Sequence, residues 1–209
     1  MDLSKTLKEY LDELSSNSPT PGGGNVAALC GTLASSLGTM VCNLTIGKKK
    51  YADVESEMSE AKEKLTECKD KFVQLAAKDN EAFDKVMEAF KLPKETDNEK
   101  ALRDKKIEEA TIGAAEIPTE VISLCGEAVK FIKVVAEKGN KNSLSDAGVA
   151  ALLISTAANG AYLNVLINCK SLGNQTIASE MLKRVDILLN DIVTQCNSIT
   201  GDITKGLRS

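Results

Sequence analysis

Two stretches of this chain, Asn25 to Gly47 and Ala147 to Cys169, contain no charged residue. A helix built from either is long enough to cross a bilayer or to run the full height of a helical bundle. Both stretches are diluted with Ser, Thr, Asn, Gly and Ala, which suits a helix touched by neighbours on every side better than one facing lipid tails. Gly31, Ala34, Ser35 and Gly38 allow a second helix to come close. The two segments therefore predict the central pair of a helical bundle, with a small membrane protein as the competing reading.

The region between them carries the complementary pattern. Val54, Met58, Ala61, Leu65, Cys68, Phe72 and Leu75 alternate spacings of four and three, a heptad seam on one long helix whose other faces are rich in Glu and Lys. The next seam position is Asp79, so a carboxylate interrupts an apolar stripe that resumes at Ala82 or Phe83, Val86 and Phe90. That helix is expected to stop at Leu92-Pro93. Thr96 to Glu99 reads as a capping box opening another helix, which Pro118 should kink or split before an apolar stripe from Val121 to Val135 ends at Gly139. Ser145-Asp146 opens the second uncharged helix, and Ile177, Met181, Val185, Leu188, Ile192, Cys196 and Ile199 mark the last one.

At the start of the chain, Leu3, Leu7, Leu11 and Leu14 give an amphipathic helix rather than a secretory leader, so a cytoplasmic location is expected. Ser15 to Gly24, with two prolines and three successive glycines, is a loop. Aromatic residues make up only 3% of the chain and Trp is absent, which favours helices packed through small and aliphatic side chains over sheet. The expectation is an all-α, single-domain antiparallel bundle over residues 1–209, with six to eight helices.

The chain has no histidine, which removes imidazole acid–base chemistry and His-based metal motifs and leaves Asp, Glu, Lys, Cys or Tyr to move protons. Its cysteines are scattered and form no C-x-x-C pair, so reduced, buried thiols and no metal are expected. With a formal charge of −4 and mixed signs along the chain, no nucleic-acid surface is implied. Asp79 on the buried seam needs either a partner or a function; a buried salt bridge is the bland account and a proton carrier the sharp one. Asp146 sits where helix starts favour Asp for dipole reasons alone. Asn164 and Asn168 share one face of an apolar helix and Asn43 stands on the other, an arrangement for holding a planar polar ring or for interhelical hydrogen bonds. The loop of Pro21, Gly22, Gly23 and Gly24 presents unpaired backbone N–H groups to an anion, or is merely a tight turn. Lys48 and Lys49 are either a solvated helix end or anion contacts.

Taken in order, SPTPGGGNVAALCG, CNLTIGKKKY, KDNEAF, LPKETDNEKALR, SDAGVAALL and NVLIN resemble the folate cyclodeaminase/cyclohydrolase family over nearly the whole chain. Asn25 stands where that family often has Ser. The resemblance implies a helical protomer that forms homodimers and acts on a tetrahydrofolate derivative without a cofactor. It implies either cyclodeaminase chemistry, taking 5-formiminotetrahydrofolate to 5,10-methenyltetrahydrofolate and ammonia, or cyclohydrolase chemistry, taking 5,10-methenyltetrahydrofolate to 10-formyltetrahydrofolate. On this reading Asp79 and Asp146 are catalytic. Asn43, Asn164 and Asn168 orient the ring, while Lys48, Lys49 and the glycine-loop amides receive the glutamate tail. The formiminotransferase portion found fused in part of the family is missing, so a separately encoded transferase is a candidate partner. A helical dimer that binds folate or another protein without catalysis is the alternative. No membrane association is expected of such a protein.

Overall fold

The computed structural model describes residues 5–208. Among these residues the chain forms six α-helices and no strand: α1 Leu7–Leu14, α2 Gly23–Asn43, α3 Glu55–Phe90, α4 Asp97–Lys138, α5 Leu144–Ser171 and α6 Gln175–Arg208. Short 3₁₀ turns at Lys49–Val54 and Lys141–Ser143 lead into α3 and α5. Helices α3, α2, α5 and α6 stand side by side, and α4 packs behind all four.

What sets the register of α3 on α2 is a ladder of notches. Gly24, Gly31 and Gly38 recur every seventh residue of α2, and the residues they face, Asp79, Phe72 and Leu65, recur every seventh residue of α3 in the opposite direction. A Cβ on Gly31 would lie 2.6 Å from the Phe72 ring, and one on Gly38 would lie 2.7 Å from Leu65 Cδ1. Phe72 and Leu65 are fully buried, so each large side chain fills the space where α2 has none. The same closeness recurs on the other flank, where a Cβ on Gly160 of α5 would come within 3.2 Å of Ala27 Cβ.

The expected seam from Met58 to Leu75 is buried throughout, as are Val185, Ile192, Cys196 and Ile199 of the last helix. Beyond Asp79 the stripe leaves the core: Phe90 is 49% exposed and stacks under the Arg103 guanidinium, 5.5 Å from its ring centre. The helix ends at Phe90, just ahead of Leu92-Pro93, and Thr96 with Glu99 forms the predicted capping box. Pro118 does not split its helix, because α4 continues from Asp97 to Lys138 through it. Leu3 lies outside the described residues. Leu7 and Leu11 of α1 are 70% and 50% exposed, so that helix is held by Tyr10 rather than by a leucine stripe.

Gly31→Ala should lower stability by about 1–3 kcal/mol, since the buried Phe72 ring has nowhere to retreat. Gly113→Ala, in the middle of α4 with nothing within 4 Å of the added carbon, should raise it by up to about 1 kcal/mol. Parallel urea melts of the two variants test the ladder, because the same chemical change is expected to act with opposite sign.

Candidate active site

The upper end of the bundle, where α2 begins and α3 and α5 near their ends, contains a cavity of about 330 Å³. Thr20 and Gly22–Gly24 form one wall, Asp79, Phe83 and Val86 of α3 a second, Ala114 of α4 the floor, and Asn164, Ile167 and Asn168 of α5 the third. Pro21, expected in the binding loop, is buried behind this wall and does not line the cavity. No Lys or Arg lines it either.

Asp79 occupies the uppermost rung of the glycine ladder, its carboxylate lying directly against Gly24. A side chain at position 24 would overlap that carboxylate, so the glycine is required here by space and not by backbone conformation. Burial pushes the Asp79 pKa upward, and a hydrogen bond from the Asn25 backbone N–H opposes the shift without cancelling it. The first-turn N–H groups of α2 have no helical acceptor, and Gly22, the residue before the helix, supplies no side chain to cap them.

Asn25, noted above only as a departure from Ser, organises this end. Its Oδ1 accepts from the Tyr10 hydroxyl at 2.9 Å, and its Nδ2 donates to the Ala76 carbonyl at 2.8 Å and to Asn80 Oδ1 at 3.3 Å. Ala76 and Asn80 belong to the helical turn that carries Asp79. One fully buried amide thus ties α1 and α2 to the aspartate's own turn.

Asn168 has a second structural duty, linked to Pro118. A proline has no N–H to give to the carbonyl four residues earlier, which here is Ala114. That carbonyl instead accepts from Asn168 Nδ2 at 3.1 Å, while the other amide hydrogen of Asn168 goes to the Asn164 carbonyl at 3.0 Å. Both Asn168 donors are engaged, so it offers its Oδ1 to a ligand. Asn164 uses Nδ2 once, on the Gly160 carbonyl at 2.9 Å, and faces Gly23 across the cavity mouth.

The remaining expected site residues lie elsewhere. Asn43 closes α2, Lys48 and Lys49 follow it, and Asp146 is in the first turn of α5, all at the lower end of the bundle. Along α5, Asp146 and Asn164 are about 27 Å apart at the usual helical rise. The lower end is held firmly: the Asn140 N–H donates to Thr45 Oγ1 at 2.9 Å, Asn140 Nδ2 to the Leu44 carbonyl at 2.9 Å, and the Lys141 N–H to the Tyr51 hydroxyl at 3.0 Å. Gly47, at φ +77°, turns the chain left-handed just before the lysines.

Three larger clefts, of about 510, 590 and 490 Å³, have only exposed ionisable side chains, apart from the buried Cys169 thiol in the third. All six cysteines are free thiols, and burial raises Cys42, Cys68 and Cys196 to about 11, too high for a thiolate nucleophile at neutral pH. Among the described residues no group of three or more Cys, Asp or Glu is arranged to hold a metal ion. The upper cavity is therefore where a carboxylate with a raised pKa meets the first turn of α2 and two asparagine amides.

Fold and site define a helical protein with an amide-lined cavity centred on the carboxylate of Asp79. The sequence matches the formiminotransferase-cyclodeaminase family over residues 6–187, and the chain belongs to that family. It is 45% identical to the methenyltetrahydrofolate cyclohydrolase of Methylorubrum extorquens over 88% of this chain and 89% of that one. It is 30% identical to the mouse formimidoyltransferase-cyclodeaminase over 96% of this chain but only 37% of the mouse protein. The crystal structure of formiminotetrahydrofolate cyclodeaminase from Thermotoga maritima superposes with a TM-score of 0.82 at 34% identity, covering 96% of this chain and 98% of that one.

The pairing of Asn168 with Pro118 is open to a double-mutant cycle. Asn168→Ala should cost about 1–3 kcal/mol, because it leaves the Ala114 carbonyl without a donor. In a Pro118→Ala background the restored N–H serves that carbonyl, and the same substitution should cost clearly less. Equal costs in the two backgrounds, measured by urea unfolding, would break the link.

Proposed function

We propose that this protein is a folate one-carbon enzyme whose principal reaction is the hydrolysis of 5,10-methenyltetrahydrofolate to 10-formyltetrahydrofolate. We take it to work in the cytoplasm, as a homodimer and without a bound cofactor. The observation that carries the reading is Asp79, a carboxylate with a raised pKa held against the N-terminus of α2 inside the amide-lined cavity. The 45% identity to a methenyltetrahydrofolate cyclohydrolase, nearly end to end in both chains, favours hydrolysis over deamination.

The chemistry required is modest. Asp79 takes a proton from water as its oxygen adds to the cationic methenyl carbon, giving a tetrahedral carbon between N5 and N10. Collapse of that adduct breaks the bond to N5, which takes up the proton from Asp79, while the hydroxyl proton leaves to solvent as the formyl group forms on N10. Ionised Asp79 also stabilises the bridging cation before attack. On this reading Asn168 Oδ1 and the Asn164 amide, both on the cavity wall, pair with the edge of the pterin ring.

The Thermotoga match supports a second reaction at the same site, the cyclodeamination of 5-formiminotetrahydrofolate. There N10 closes on the formimino carbon and Asp79 returns a proton to the departing ammonia. A separately encoded formiminotransferase would supply that substrate.

Absorbance of the methenyl chromophore separates the two reactions: purified protein should accelerate its loss from 5,10-methenyltetrahydrofolate, whereas its appearance from the formimino substrate marks the deaminase. Asp79→Asn should reduce turnover by about 10²- to 10⁴-fold. In the wild type, kcat/KM should fall on the acid side with an apparent pKa above the ordinary carboxylate range. Stability should move the other way. A carboxyl whose pKa is raised by folding favours the fold below its ordinary pKa, and that contribution is lost as pH rises through the raised value. The Asn variant should thus melt higher than wild type at neutral pH, and the gap should close as pH falls into the carboxylate range. A variant that turns over normally removes Asp79 from the mechanism; no conversion of either substrate by wild type leaves a folate-binding bundle.

A further inference from the structure

Within its cavity Asp79 meets no cation. No Lys or Arg lines the walls, and Lys78, its neighbour in the chain, turns to a separate cleft beside Glu120 and Arg184. The strongest influence favouring the ionised carboxylate is the hydrogen bond from the Asn25 backbone N–H. The strength of that bond depends on what holds Asn25 still. Its fully buried amide accepts from Tyr10 of α1 and donates to Ala76 and Asn80, three residues before Asp79 and one after it. One residue thus grips the carboxylate with its main chain and the carboxylate's own turn with its side chain.

Resting on the folate reading above, we infer that Asn25, braced by Tyr10, is the positioning residue of this site, holding the Asp79 carboxylate in the pose from which it exchanges protons with the substrate. Helix α1 belongs to the catalytic unit because it supplies the brace.

Four observations carry this. Neither Asn25 nor Tyr10 lines the cavity, so each acts on a ligand only through another residue. Tyr10 is the one buried residue of α1, and its hydroxyl is directed at Asn25 while Leu7 and Leu11 face solvent. The polarity of the amide is fixed, because the Ala76 carbonyl can only accept; Nδ2 therefore faces α3 and Oδ1 faces α1. Without the Tyr10 hydroxyl a buried Oδ1 has lost its donor, and the amide is released to turn away from α3. Finally, the glycine ladder sets where Asp79 stands along α2 but not how its carboxylate is rotated, since Gly24 offers it only space.

Few other groups titrate nearby. Among the described residues α4 and α5 bring only Ala114, Asn164, Ile167 and Asn168 to the cavity, and α2 only its glycines. Burial pushes up Tyr10, with a smaller contribution from Cys30, and burial also pushes up Cys30 itself. Both therefore stay protonated where a carboxyl titrates, and an acid limb in that range reports Asp79.

Two variants test the brace. Tyr10→Phe removes one hydroxyl and keeps the ring, while Asn25→Ser shortens the side chain so that it no longer reaches both α1 and α3. The first arm needs no activity. The Asp79 carboxyl is followed by ¹³C resonance in aspartate-labelled protein and assigned by its disappearance in Asp79→Asn. In both variants its titration should move upward, by up to about one pH unit, because the donor that favours the ionised form is loosened. The second arm is turnover of 5,10-methenyltetrahydrofolate. The acid limb of kcat/KM should move upward with the titration, and the plateau kcat should fall by about tenfold in Asn25→Ser and by less in Tyr10→Phe. KM should stay within about twofold, since neither residue touches substrate. The double variant should be no slower than Asn25→Ser alone, because the two residues act in series. Lower urea midpoints with an unmoved titration and an unmoved kcat would make Asn25 a purely structural amide and overturn the inference, as would a change confined to KM. If Asn25→Ser does not fold, Tyr10→Phe decides the question by the same readouts. A shifted Asp79 titration in a protein whose wild type converts neither folate would sink the folate reading while leaving the brace standing.

Discussion

Helix α2 has almost no side-chain volume on the side facing α3, and the architecture follows from that. Three glycines one heptad apart receive Leu65, Phe72 and Asp79, also one heptad apart, from an antiparallel helix. Two of these rungs are apolar and fully buried, so they fix both the register and the depth of contact before the third is considered. A slip of one turn would drive Phe72 into a residue with a Cβ. Asp79 is therefore placed by hydrophobic packing elsewhere on its own helix, and its closeness to the N-terminus of α2 is a consequence of the core.

That placement explains the raised pKa better than any property of the aspartate itself. The rung strips water from the carboxylate and raises its pKa, while the Asn25 N–H keeps the ionised form accessible. Both influences come from α2, one through its missing side chain and the other through its free first-turn amides. On the opposite wall, Pro118 frees a carbonyl on α4 that only a neighbouring donor can satisfy, and Asn168 reaches across from α5 to do so. The cavity walls are therefore cross-braced by groups that secondary structure leaves unpaired.

Much of this was legible in the sequence, and the failures have identifiable causes. The all-helical class, the buried seam from Met58 to Leu75 and the capping box at Thr96 follow from local periodicity and end signals, which tertiary contacts here reinforce. Asp79 could be singled out because it broke a stripe. The partner rung, Gly24, was equally visible as the first of three glycines seven apart, but its meaning requires the facing helix. Pro118 misled because a rule about helix interiors assumes that the lost hydrogen bond goes unreplaced. Nothing local foretold that Asn168, fifty residues further on, would replace it. Asn25 was noticed only as an exception, since a backbone pattern cannot show that one amide joins three helices.

Charge-free helices are usually explained by burial, yet α2 and α5 are each in contact with neighbours on only part of their circumference. Residues such as Leu33, Leu152 and Leu163 lie on the open side, where selection for a core alone would tolerate Lys or Glu at no cost to packing. The same sequences therefore meet two separate demands, one from α3, α4 and α6 within the chain and one from whatever lies against the open face. Each end of that face is held in place, the upper by the glycine ladder and the lower by the Asn140–Thr45 contacts.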